Sequence, residues 1–356
     1  MEYMSAREAA YKWGISQRRV AVLCSEKRIT NAMKVGNMWI IPSSAKKPVD
    51  ARSERYSKKD EKAVKPFLKW AGGKGQLIKE IEKYYPFKNS KIKKYAEPFV
   101  GGGAVLFDIL NKYDLKEVYI SDINAELINT YIVIRDDIDL LIELLYNMQS
   151  NFIPLDKEER KFYYMQKRDR FNELEINNNE NLNIEKAALM IFLNRTCFNG
   201  LFRVNKKGFF NVPMGAYKNP MICDENNLRA VSKKLRKVTI VCGDYSESAD
   251  FINENTFVYL DPPYRPITDT ASFTAYTENL FNDDAQIELA RFIDDMDKRG
   301  AKIVVSNSDP KNSNKDDDFF DELYSAHKIR RVEATRMINC NSEARGKIKE
   351  LLISNF

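Results

Sequence analysis

An α/β fold built on a parallel sheet with helices on both faces is predicted by three features of the sequence. Short apolar, partly β-branched runs recur at Tyr95–Phe99, Glu117–Ser121, Val238–Cys242, Thr256–Leu260 and Ala301–Ser306. Helical stretches at 75–84, 104–112, 123–146 and 283–298 lie among them. Such alternation implies crossover connections and therefore parallel strands. Finally, the first run enters a glycine turn, the second ends on Asp122 and the fourth on Asp261, as expected where strand ends build a site.

The 356 residues suit two or three domains. With 44% hydrophobic residues, including 20 Phe, 18 Tyr and 3 Trp, the chain can fill a large core, which excludes general disorder. No run of about 18 apolar residues exists, so no membrane span is expected. The start, Met1-Glu2-Tyr3-Met4, lacks a basic-then-apolar signal, so a cytoplasmic location is expected. The five cysteines are scattered, with no C-x-x-C pair, and there is a single histidine, so no metal site is expected. His327 lies in a polar stretch without a nucleophile motif and is expected at the surface.

Residues 1–42 read as a small helical unit with a hairpin. Ser5 can cap a helix over Ala6–Lys12, Gly14 breaks it, and Ser16 caps a second helix over Gln17–Glu26. Ile15, Val20 and Leu23 would face inward, and Arg18 and Arg19 open the second helix. Met33–Ile41 then reads as a hairpin turning at Gly36-Asn37. The pattern resembles the winged helix-turn-helix modules of excisionase-type proteins. It leaves both DNA contact and a structural or protein-binding role open. Residues 43–64 are polar and read as a linker.

The net charge of +6 is uneven. Residues 1–65 hold 15 Lys/Arg against 7 Asp/Glu, and residues 195–237 hold 10 against 2. Two basic segments suggest two surfaces that could meet a polyanion. Arg330–Ile338 and Lys347–Ser354 look like a closing antiparallel pair. The stretch between the second and third strands has about 115 residues, with helices, an Asn-rich loop at Asn177–Asn183 and the second basic segment. An insertion of that size is usually functional.

Three motifs carry chemistry. Tyr95–Phe107 reads as strand, glycine turn and helix, with Phe99, Gly101 and Gly103 in the turn. Asp122, at the next strand end, lies where an acidic residue reaches a ribose hydroxyl pair. This looks like an adenosine-binding half-fold, but Leu106 stands at the third glycine position of the dinucleotide fingerprint. Phe67–Lys74 is not a P-loop, because Leu68 and Gly75 occupy positions that motif reserves for Gly and Ser/Thr. There Trp70 could pack on a nucleoside and Lys74 pair with a carboxylate.

Asp261-Pro262-Pro263-Tyr264 at the end of a strand is the most specific feature. For an exocyclic base amine, the Asp261 carboxylate and the Pro262 carbonyl could each accept an N–H bond. Two fixed acceptors favour the more nucleophilic nitrogen and its developing positive charge. Proline fixes φ and aims that carbonyl. Tyr264 could stack on a base that has left its duplex.

In the order of these motifs, with a long insertion between the second and the last, the chain from about Lys65 to Phe356 resembles the Dam-like, alpha-group adenine-N6 DNA methyltransferases. The insertion contributes Leu193–Asn205 and Gly208–Pro213, which resemble the recognition domain of members reading GATC. Phe273–Tyr276 and Val305–Asn307 also match. The resemblance implies a Rossmann-like S-adenosylmethionine-dependent methyltransferase fold with an inserted, mainly helical target-recognition domain at about 126–237, beside the N-terminal winged helix-turn-helix. It implies S-adenosylmethionine as methyl donor, touched by Trp70, Lys74, Phe99, Gly101, Gly103, Asp122, Asp244 and Asp261. Double-stranded DNA is the implied partner, met by Lys69, Phe198, Asn199, Leu201, Arg203, Pro213 and Tyr217. Among these, Arg203 is the candidate for a guanine contact and Phe198 for a wedge in the base stack. A restriction-modification setting would add a cognate endonuclease without direct contact. The alternatives are N6 methylation of another sequence, N4 methylation of cytosine, and a DNA-binding regulator whose cofactor domain is vestigial.

Overall fold

A computed structural model describes residues 3–13, 17–26, 28–36, 38–45, 63–70, 72–88, 91–265, 281–335 and 347–356. The chain separates into two units, Met1–Lys62 and Ala63–Phe356.

In the first unit, helices α1 (Ala6–Trp13) and α2 (Gln17–Ser25) accompany three antiparallel strands, β1 (Tyr3–Ser5), β2 (Met33–Val35) and β3 (Met38–Pro42), in the order β1-β3-β2. The Ser5 hydroxyl accepts the Glu8 N–H while the Glu8 carboxylate accepts the Ser5 N–H, a reciprocal cap at the start of α1. Val20 and Leu23 are buried with Ala9, Trp13 and Ile41. Gly36 takes φ +58 between β2 and β3. Strand β1 was not expected from the sequence, being only three residues long. Gly14, Ile15, Ser16 and Asn37 lie outside the described residues, as do the side chains of Arg18 and Arg19 and most of the 43–64 stretch.

The second unit is a seven-stranded, mostly parallel sheet. Its strands are β4 (Lys94–Pro98), β5 (Glu117–Asp122), β6 (Val238–Cys242), β7 (Thr256–Leu260), β8 (Lys302–Ser308), β9 (Lys328–Thr335) and β10 (Lys347–Ser354). The order is β6-β5-β4-β7-β8-β10-β9, and only β10 runs antiparallel to its neighbours. Successive side chains on a strand point to opposite faces, and the core divides accordingly. Val118, Ile120, Phe257 and Tyr259 join one apolar cluster, while Tyr119, Val258 and Leu260 join the other with Leu289, Ile293 and Met296.

Helix α4 (Ala104–Lys112) follows the glycine turn, and α10 (Asp283–Lys298) precedes β8. Between β5 and β6 stand α5 (Ala125–Asp136), α6 (Ile138–Phe152), α7 (Lys157–Glu173), α8 (Glu180–Thr196) and α9 (Glu225–Leu235). Eleven residues of α8 are buried, from Ile184 to Thr196, so this helix is wrapped on all sides by its neighbours.

Four expectations need correction. The helix expected at 123–146 is two helices, because Asp137 leaves helical geometry at φ −124, ψ +38. The expected helix 75–84 is a broken run whose α-helical part, α3, spans only Ile78–Ile81 between two 3₁₀ turns. The Asn-rich stretch is loop only over residues 177–179, because Asn179 accepts the Leu182 N–H and α8 begins at Glu180. His327 is not a free surface residue: its side chain is 5% exposed and its Nε2 lies 2.9 Å from Asp294 Oδ1. No helix among the described residues is long and apolar enough to cross a membrane.

Candidate active site and nucleic-acid interface

Strand order reverses between β4 and β7, and the site lies at their carboxyl ends, where an open α/β sheet leaves a crevice. The Lys74 Nζ is 2.7 Å from Asp261 Oδ2 and donates to the Gly72 carbonyl at 2.8 Å. Lys74 is 6% exposed and Asp261 20%, so the pair is largely withdrawn from water and screened little. The other carboxylate oxygen, Oδ1, accepts the Ser306 hydroxyl at 2.8 Å, and that hydroxyl is 2.9 Å from the buried Tyr259 hydroxyl. Tyr264 donates its hydroxyl to Glu350 at 2.7 Å, and its ring lies under the Lys74 ammonium, 4.6 Å from the centroid.

The glycine turn is fitted to its surroundings. Gly101 and Gly103 have φ +47 and +70, which L side chains rarely adopt. A Cβ on Gly101 would come within 2.9 Å of the Trp70 ring, and one on Gly103 within 2.5 Å of the Tyr131 hydroxyl. Trp70 is therefore the wall of this turn, and its ring also stacks on Phe202 at 5.4 Å. Asp122 accepts the N–H groups of Gly101 and Asn124 at 3.1 and 3.0 Å. Burial raises its carboxyl pKa, and the backbone N–H groups of Asn124, Gly101 and Ile123 oppose that rise.

The Asp122 carbonyl accepts the Gly243 N–H at 3.1 Å, which brings the next segment alongside. There Asp244 is exposed and caps a 3₁₀ turn by accepting the Ser246 N–H. Tyr245 stacks on Phe99 at 5.4 Å. The structure thus brings the residues expected to touch a cofactor to the ends of β4, β5, β6 and β7 in two sets of contacts, Lys74 with Asp261 and the 99–103 turn with Trp70 and Asp122, while the Asp244 side chain bonds only within its own turn.

The residues expected to meet DNA also gather. Asn194, buried near the end of α8, accepts the Lys69 N–H and donates to the Lys69 and Gly200 carbonyls. This ties the 67–74 motif to the segment after α8. Lys69 Nζ reaches the Tyr217 hydroxyl at 3.4 Å and lies 4.8 Å from its ring centroid. Phe198 donates its N–H to the Pro213 carbonyl, and Asn199 takes φ +57 in the turn that follows. Phe198 is 53% exposed, whereas Leu201 leans on the main core. Arg203 is exposed and donates to Asn211 at 2.7 Å, beside a tight hairpin closed by the Val204–Phe210 bridge. Phe273–Tyr276 lie outside the described residues.

Three residues of the site had no role in the sequence reading. Ser306 and Glu350 come from β8 and β10, far along the chain from Asp261; Ser306 lies in the segment Val305–Asn307 that matches the family but carried no role there, and no local motif announces Glu350. Glu97 was visible as an acidic residue inside an apolar strand. It is 2% exposed, accepts the Tyr95 hydroxyl at 2.7 Å, and has its pKa raised to about 8, chiefly by burial. The Tyr95 bond opposes that shift, and the negative charge of Asp261 adds to it. Glu97 is therefore mostly protonated at neutral pH, which avoids a second negative charge beneath Asp261. No group of three or more metal-ligating side chains occurs among the described residues.

Residues 70–338 match the model of the D12 class N6 adenine-specific DNA methyltransferases. The type II methyltransferase M.MjaIII of Methanocaldococcus jannaschii is 52% identical over 296 residues, covering 82% of this chain and 99% of that protein. A DNA adenine methylase of Haemophilus influenzae is 35% identical, covering 85% of this chain and 97% of that protein. The DNA adenine methylase of Escherichia coli K12 is 33% identical, covering 82% and 95%. On this shared sequence, with the Asp261 carboxylate and the glycine turn side by side, the chain belongs to the D12 class of N6 adenine-specific DNA methyltransferases.

Proposed function

We propose that the chain transfers a methyl group from S-adenosylmethionine to N6 of adenine in GATC sites of duplex DNA, by base flipping and direct transfer. The observation that carries the reading is the Lys74–Asp261–Ser306 cluster at the point where strand order reverses. The donor set suits the cofactor. Asp122 keeps acceptor capacity for a ribose diol beyond the two N–H bonds it takes, and the turn at 101–103 admits close backbone approach. Trp70, Lys74, Phe99, Gly101, Gly103, Asp122, Asp244 and Asp261 would hold it. Bound there, S-adenosylmethionine supplies an electrophilic methyl group on a sulfonium.

The protein's own work is to orient and activate the amine. Lys74 and Ser306 fix the Asp261 carboxylate in two directions, and its remaining lone pairs can accept one N–H of the adenine amine. The Pro262 carbonyl accepts the second. Both acceptors stabilise the positive charge that develops on the nitrogen. Tyr264, held through its hydroxyl and beneath the Lys74 ammonium, is ready to stack on the extruded base. Arg203 contacts guanine, Phe198 fills the stack, and Lys69, Asn199, Leu201, Pro213 and Tyr217 complete the reading surface. Support for GATC comes from the resemblance of 193–213 to the recognition segments of GATC-reading members. Residues 1–42, in the basic N-terminal part, add phosphate contacts that weaken with salt.

The test is a methyl-transfer assay with labelled S-adenosylmethionine and unmethylated DNA with or without GATC, followed by identification of the modified nucleoside. N6-methyladenine confined to GATC-bearing DNA is expected. Equal labelling of both DNAs would discard the site assignment, and label on cytosine N4 would discard the substrate.

A further inference from the structure

The segment Asp261–Tyr264 leaves its strand through two prolines, which have no N–H to give to a neighbour. Only their carbonyls can be held. One of them is gripped by a side chain: Nε2 of Gln286 donates to the Pro263 carbonyl at 3.1 Å. Gln286 stands in the first turns of α10 and is completely buried. Its Oε1 accepts from Nδ2 of Asn307 at 3.2 Å, and Asn307 Oδ1 in turn accepts the Ser308 N–H at 2.9 Å. The donors therefore run in one direction, from Asn307 to Gln286 to Pro263.

Ser306, the preceding residue on β8, points to the opposite face and donates to Asp261. Two successive side chains of one strand thus act on the tetrapeptide, Ser306 directly on Asp261 and Asn307 through Gln286 on Pro263. Beside them, Arg265 forms a two-pronged pair with Asp283, at 2.6 and 2.9 Å, and reaches Asp317 at 2.7 Å. These charged neighbours of the corner are satisfied by one another. A buried amide is costly unless both its ends are bonded, and an apolar side chain would fill the same volume without that cost. Its presence is explained by what it holds.

We propose that Gln286, supported by Asn307, is a positioning residue for methyl transfer. Its amide fixes the Pro263 carbonyl, and so sets the backbone that presents the Pro262 carbonyl and the Tyr264 ring to the target base. The proposal rests on reading Asp261–Tyr264 as the catalytic segment. A misplacement of about 1 Å in such a segment can cost roughly a hundredfold in rate.

The test uses the full chain and single-turnover methylation at saturating S-adenosylmethionine, from mildly acidic to mildly alkaline pH, each rate taken relative to wild type. In Gln286→Glu, the ionised carboxylate sets an acceptor against the Pro263 carbonyl, whereas the protonated form again donates. Burial raises the pKa of such a carboxyl, so activity should return on the acid side. Gln286→Met lacks a donor at every pH. The expected result is a loss of about tenfold to a hundredfold in Gln286→Glu on the alkaline side, recovery in acid, a constant deficit in Gln286→Met, and unchanged DNA affinity in both. Wild-type rates in either variant, or a Gln286→Glu deficit that acid does not relieve, would overturn the proposal. Asp261→Ala is measured alongside. Turnover in that variant would sink the catalytic reading itself, while an inactive Asp261→Ala beside indifferent Gln286 variants would sink only the positioning role.

Discussion

The crevice at the β4 and β7 ends and the surface formed by residues 197–217 are built on opposite plans. In the crevice the two carboxylates and the Tyr264 side chain already have partners. Asp261 is held from two sides, Asp122 by two N–H groups, and Tyr264 by hydroxyl and ring. On the surface, Phe198 and Phe209 are about half exposed, and Arg203 has the single partner Asn211 among the contacts described. What is rigid there lies underneath, in Asn194 and the buried end of α8. The lesson is a division of labour. Chemistry that depends on fixed acceptors is organised in advance, whereas reading a duplex leaves side chains free to be spent on bases and phosphates.

Substitutions can break this contrast. The largest effect is expected for Asp261→Ala, which should lower methyl transfer at least about a hundredfold, as loss of one preorganised electrostatic group commonly does. DNA affinity measured by anisotropy should be retained. A loss of DNA binding instead would mean that the crevice and the reading surface are not separable. Next is Arg203→Ala, expected to cost about 1–3 kcal/mol of discrimination against a wrong base, read as the ratio of methylation rates on cognate and altered sites. S-adenosylmethionine affinity should not change. Discrimination equal to wild type would remove Arg203 from the reading set.

The smallest effect sharpens the contrast from the side of the crevice. Glu97 titrates near 8 when folded, above its usual 4.5. Its folded form therefore holds a proton that the unfolded chain has released. The associated stability is full below about 4.5 and is lost as pH rises through 8. Wild type should lose melting temperature across that window relative to Glu97→Gln, which has no proton to lose. Parallel melting curves for the two proteins at every pH would show that Glu97 does not titrate in this way.

How much was legible in the sequence follows from the range of each interaction. Strand runs, the glycine turn and Asp261 are local patterns, and the structure has the five expected parallel strands within a residue or two of their expected limits. Lys74 was expected to pair with a carboxylate, and that carboxylate is Asp261. The break at Asp137 was hidden because apolar residues continue on both sides of it. Gln286 and Glu350, and the task of Ser306, were illegible for another reason. Each reaches the tetrapeptide across the sheet or from a helix, and ordinary polar residues in those elements carry no mark of their partners.

The position of β10 has a consequence for synthesis. It follows β9 in the chain yet lies between β8 and β9, and it carries Glu350, the partner of Tyr264. A chain emerging from the ribosome as far as residue 335 already contains Lys74, Asp122 and Asp261. In that state β9 has no neighbour to pair with and the Tyr264 hydroxyl has no acceptor on β10. Domains fold as units during synthesis, so until residues 347–354 have been made the sheet lacks the strand that joins β8 to β9, and Tyr264 lacks the Glu350 carboxylate that accepts its hydroxyl.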